Sequence, residues 1–128
     1  MTNVSLIREY RFLISLLMTI VVETALLAAL LLPGSKKKED GCLPPGLVVF
    51  SGISASMATL PYVWFIFPLF FRSRLPYLAA AEGFAVLGEA VFYYFSLKIH
   101  IDKALLFSFL CNAASFLSGL ILNRLLYY

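Results

Sequence analysis

Four long apolar runs fill most of the chain: Phe12 to Leu32, Gly46 to Phe71, Pro76 to Leu97, and Ala104 to about Arg124. Short charged or proline-bearing segments separate them. A helix rises about 1.5 Å per residue, so about 20 apolar residues cross a hydrocarbon core of about 30 Å. Barrel strands would alternate apolar and polar residues over about ten positions, and these runs do not. The pattern therefore predicts an all-α membrane protein. It is a four-transmembrane-helix bundle with short loops and both termini on the same side. One domain covers 1–128, with helices at about 12–32, 46–71, 76–97 and 104–124.

Composition narrows the alternatives. Of 128 residues, 62% are hydrophobic and 13% charged, against roughly 45–50% and 25% in soluble domains. The mean hydropathy is +0.92. So few charges cannot clothe a water-soluble globule, which excludes a soluble enzyme, a disordered tail and a disulfide-stapled secreted domain. The net charge of +3 comes from short basic clusters between the apolar runs. Such clusters are juxtamembrane anchors, so the expected partner is the lipid bilayer and not nucleic acid. The first run follows Arg8 and Arg11 as a signal peptide would, but its 21 apolar residues exceed the 7–15 of a signal core. It reads as a retained span.

Cys42 falls in a loop and Cys111 inside an apolar run, at different depths, so no disulfide is expected. His100 stands alone in a loop. CxxC, HExxH and Gly-rich phosphate loops are absent, and no cofactor or metal is expected. Ser115 or Ser118 with Glu89 is the one hydrolytic pairing available on paper. Without an embedded histidine it does not make the chain an enzyme.

Orientation is nearly balanced. Arg8, Arg11, Arg72, Arg74 and Arg124 flank one side, and Lys36, Lys37, Lys38, Lys98 and Lys103 the other. The positive-inside rule counts such residues and here finds almost no bias. Either the first helix decides, which puts the termini in the cytoplasm, or copies insert both ways.

Glu23, Glu82 and Glu89 lie within the apolar runs. A carboxylate at the bilayer centre costs roughly 2.5–3.5 kcal/mol on insertion scales and usually faces the bundle interior. Measured from the arginine side, Glu23 and Asn112 sit roughly 18 Å deep, Thr59 roughly 20 Å and Glu89 roughly 22 Å. One residue from each span thus reaches a common level near the midplane. Glu82, roughly 12 Å deep, is close enough to the interface to pair with Arg72 or Arg74. Helical spacing gives each span one small-and-polar stripe: Ser15, Thr19, Glu23; Ser51, Ala55, Thr59, Tyr62; Ala79, Glu82, Ala85, Glu89, Tyr93; and Ser108, Asn112, Ser115, Gly119. Gly83 and Gly88 lie beside the third stripe. Residues three and four apart share a face, and polar faces turn away from lipid. Pro61 should free the carbonyl of Met57, four residues earlier, close to Thr59. Trp64, Tyr62, Tyr93 and Tyr94 are either interface-belt residues or an aromatic wall for a cation.

Two carboxyls at one level cannot both ionise cheaply, and one should keep its proton. A site of that kind exchanges a proton for a cation. The expected function is a small proton- or cation-coupled transporter, its ion site formed by Glu23, Glu89, Asn112, Thr59 and Glu82, working as a homo-oligomer or in a larger membrane complex. The alternative is a non-transporting membrane subunit or lipid-binding scaffold whose polar stripes only pack helices. In length, span count and a mid-span glutamate on the first helix, the chain resembles the small multidrug-resistance transporters. The likeness is architectural: the stretch Val21-Val22-Glu23-Thr24-Ala25 carries no shared motif, and no residue role follows from it.

Overall fold

The computed structural model describes the backbone of residues 3–35 and 43–126, with side chains over 6–33 and 43–125. The Lys36–Lys38 cluster, Cys42 and the Tyr127–Tyr128 pair lie outside these ranges. Among the described residues the structure is helical throughout, without strands. Helix α1 is Asn3–Ser35 and α2 is Pro45–Pro61; a π-helical turn over Tyr62–Ile66 leads into the short α3, Phe67–Phe70. Helix α4 is Arg74–Leu97 and α5 is Ile101–Leu126. Four stretches are long and apolar enough to cross a membrane: Leu6–Pro33, Pro45–Phe70, Arg74–Leu97 and Ile101–Leu125.

The helices overrun the apolar runs. Helix α1 starts nine residues before Phe12 and continues through Pro33, because apolarity marks the lipid-facing part of a helix and not its ends. Proline in the last turn forfeits only its own N–H bond. In α4, Pro76 sits third and not first, still inside the turn whose N–H groups have no helical partner. Helix α5 begins at Ile101, with Asp102 favourably placed in its first turn. Lys98 ends α4 in the left-handed conformation, φ 52°, a place glycine usually takes.

Helix α1 packs on α2 and α5, and α4 packs on the same two, so the four long helices form a ring in chain order. Glu23 and Glu89 therefore come from opposite corners. Polarity is inverted relative to a soluble protein. Glu23, Ser51, Ser56, Glu89 and Ser108 are buried, while Leu17, Val21, Phe50, Phe95 and Ile121 are exposed. Continuous apolar exposure of this extent needs a nonaqueous surround, and the four candidate spans suggest a multi-pass membrane protein.

Helices α1 and α2 meet where Gly52 faces Thr24. A Cβ on Gly52 would lie 2.7 Å from Thr24 Oγ1 and 3.1 Å from Thr24 Cα, and the backbone atom cannot step aside. Gly52→Ala should therefore destabilise by about 1–3 kcal/mol, the usual cost of overpacking. Gly83 has nothing within 4 Å of such a Cβ. Gly83→Ala should raise stability by up to about 1 kcal/mol through helix propensity. Unfolding in mixed micelles measures both.

Candidate functional site

The stripes converge on two carboxyl groups. Ser56 Oγ of α2 donates to Glu23 Oε2 at 2.7 Å, and Ser115 Oγ of α5 donates to Glu23 Oε1 at 2.6 Å. Asn112 Nδ2 of α5 donates to Glu89 Oε2 at 2.6 Å, and Thr59 Oγ1 of α2 donates to Glu89 Oε1 at 3.1 Å. Both carboxyls stand on the wall of one cavity. Both residues are almost wholly enclosed, at 0% and 1% exposure.

Of the residues singled out in the sequence, Glu23, Thr59, Glu89 and Asn112 meet here. Ser56 was not foreseen, although it follows Gly52 by four residues and precedes Thr59 by three, on the same face. Ser115 was placed on the fourth stripe and paired on paper with Glu89, and it meets Glu23 instead. Glu82 is half-buried and lines the adjoining cavity, but among the described residues it forms no ion pair with Arg72 or Arg74. In the third stripe Ala81, not Ala79, is buried, and Gly83 faces outward. Tyr62 and Tyr94 are exposed, at 52% and 44%, and make no wall. Trp64 lines the cavity, and Tyr93 is buried one turn beyond Glu89 with an unpartnered hydroxyl.

The prolines release more than the Met57 carbonyl that the sequence points to. Met57 is exposed, at 55%, and is not among the cavity-lining residues. A second carbonyl made available lies further on, at Val63. In the π-helical turn Phe67 N–H bonds to Tyr62 O, five residues back, and so abandons Val63 O. The donor five residues beyond Val63 would be Pro68, which has no N–H. Tyr77 Oη of α4 donates to Val63 O instead, at 3.0 Å. Tyr77→Phe leaves that carbonyl without its partner, an expected loss of about 1–2 kcal/mol, readable as a lower midpoint of thermal unfolding.

Beside the carboxyl pair lies a cavity of about 270 Å³, whose lining includes Ser15, Thr19, Trp64, Tyr77, Glu82 and Gly119. It extends toward the end of the bundle that carries Arg8, Arg11, Arg72 and Arg74, where two further hollows share its walls at Trp64, Tyr77, Ser15 and Gly119. The opposite half is filled. Leu27, Leu31, Val48, Tyr93, Leu97, Ala104 and Cys111 form one buried cluster, and Ser51 Oγ donates across it to Ser96 Oγ at 3.0 Å. Among the described residues no group of three His, Cys, Asp or Glu side chains gathers as metal ligands would.

The arrangement defines a class: an apolar-surfaced helix bundle with an acidic pair at its centre and a cavity on one side of that pair. No protein-family model, curated protein or solved structure matches the chain.

Proposed function

We propose that the chain is a small multi-pass membrane transporter in which Glu23 and Glu89 bind a proton or a small cation in alternation. The carrying observation is two buried carboxyls from opposite helices on the wall of one cavity, which extends toward one end while the other end is filled. A shared proton is the resting charge state of such a pair. A cation entering from the arginine end displaces it, and closing that end while parting the Leu27–Leu97 cluster delivers the cation across. Transporters hold substrate near the midplane and expose it to one side at a time. Thr59, Asn112, Ser56 and Ser115 orient the carboxyl oxygens, and Glu82 is a third acidic group along the way. The termini and the Arg72–Arg74 turn lie on one side of the membrane, the cytoplasmic side if the first helix sets the orientation. A ring of four helices encloses little space, and a homo-oligomer or larger complex would complete the path.

A second reading is favoured by one specific observation: each of the four carboxyl oxygens already accepts a bond from a Ser, Thr or Asn side chain. In that reading the pair is a structural clasp in a non-transporting subunit. Proteoliposome flux decides between them. Transport reads as pH-gradient-driven flux that Glu23→Gln abolishes; a clasp reads as no flux from the unaltered protein.

A further inference from the structure

At the arginine end, independent of the carboxyl pair, a hollow of about 470 Å³ is lined by Arg8, Arg72 and Arg74, with Trp64, Phe71 and Tyr77 as its apolar and aromatic part. The three guanidinium groups come from the start of α1, the turn before α4, and the first residue of α4. No acidic side chain lines this hollow, and none of the three arginines is ion-paired among the described residues. Arg8 is held at the rim over the Phe65 ring, its Cζ 5.5 Å from the centroid. All three are exposed on the one hollow, and with no acidic side chain among its described lining residues their charges sum to favour an anion there.

The chemistry of that anion follows from the walls. A guanidinium presents a planar fork of donors that fits phosphate oxygens two at a time. The positive end of α4 adds to the same field: its N-cap Ser73 makes no side-chain capping bond, and its first turn holds no acid. Arg74 begins the stretch Arg74–Leu97, Arg72 lies two residues beyond Pro45–Phe70, and Arg8 lies two residues inside the start of Leu6–Pro33, which is headgroup level for a protein in a bilayer. Trp64 and Phe71 suit the junction between a phosphodiester and its acyl chains.

We infer that the hollow binds a phosphate-type oxyanion, supplied by an anionic phospholipid headgroup or by soluble phosphate. The full chain, purified in an uncharged maltoside detergent, is titrated in separate arms with phosphatidylglycerol, phosphatidylcholine and inorganic phosphate. Thermal midpoint and native mass spectrometry are the readouts. Phosphatidylglycerol should raise the midpoint and remain bound as one lipid per chain, and phosphatidylcholine should do neither. An equal rise with inorganic phosphate assigns the site to soluble anions. The double variant Arg72→Gln/Arg74→Gln should weaken anion binding at least about tenfold, the loss expected when bidentate charge-assisted bonds are removed. Arg8→Gln, on a separate helix, should weaken it in the same direction, so the result does not hang on one variant's folding. Equal responses to both lipids, no response to either anion, or full anion response in both variants would overturn the inference.

Discussion

Liposomes containing the Glu23→Gln protein should show no pH-driven flux above that of protein-free vesicles, while the variant purifies and unfolds much as the unaltered protein does. Glutamine keeps the length and planarity of the side chain. Its carbonyl oxygen can accept from one of Ser56 and Ser115, and its amide N–H can donate to the other, hydroxyls that lie 2.7 and 2.6 Å away in the unaltered protein. What it lacks is an exchangeable proton and a negative charge. Loss of a positioned proton-transfer group costs about 10²–10⁴ in rate where it has been removed from enzymes, and a drop of at least about a hundredfold is expected here. Glu89→Gln should behave the same way. The pH dependence has a definite sign. In the unaltered protein a cation competes with the shared proton, so its apparent affinity should weaken by up to about tenfold for each unit by which pH falls on the open side. In either Gln variant that dependence should vanish. Replacement by leucine is the structural control. Glu89→Leu removes the carboxyl acceptor from Asn112 Nδ2 and Thr59 Oγ1, which keep Ser108 O and Ala55 O, a destabilisation of about 0.5–1.5 kcal/mol for each bond lost. Unimpaired flux in both Gln variants would end the carboxyl mechanism.

The second large effect concerns access. On a Cys42→Ser/Cys111→Ala background, Thr19→Cys should react with a small membrane-impermeant thiol reagent at least about a hundredfold faster than Leu97→Cys, because a side chain in a packed interior reacts only through local opening of the structure. Thr19 lines the cavity, and Leu97 is 3% exposed within the packed cluster. Reagent supplied from the arginine end should do the labelling. Equal rates would mean that the two halves of the bundle are equally permeable, and alternating access would lose its starting state.

Much of this was legible before any coordinates. The apolar runs give the four helices, because lipid allows a single chain few ways to satisfy its backbone. The common level of Glu23, Thr59, Glu89 and Asn112 follows from 1.5 Å per residue once the arginines are taken as a reference line, and the hydrogen bonds join Glu89 to Thr59 and Asn112. Which residue closes on Glu23 was harder to read. Ser56 and Thr59 differ by less than one turn, and spacing alone cannot say which carboxyl each will meet. The Val63 carbonyl was out of reach of pattern reasoning. Pro61 and Pro68 were both visible, but the usual rule looks four residues back from a proline, and here the vacancy arises from a shift to five-residue bonding between them. The same shift explains Tyr62, expected on the inner stripe and found outside.

That extra residue has a mechanical consequence. A five-residue repeat inserts one position beyond α geometry, so everything after it is turned by roughly 100° about the axis. The second span is thus two rods out of phase; at the joint the Tyr77 phenol donates to Val63 O, and Phe12 packs on Trp64 and Phe65. Trp64 sits within that joint on the cavity wall, so the phase of the outer rod is set beside the mouth of the bundle, while the inner rod holds Thr59 against Glu89.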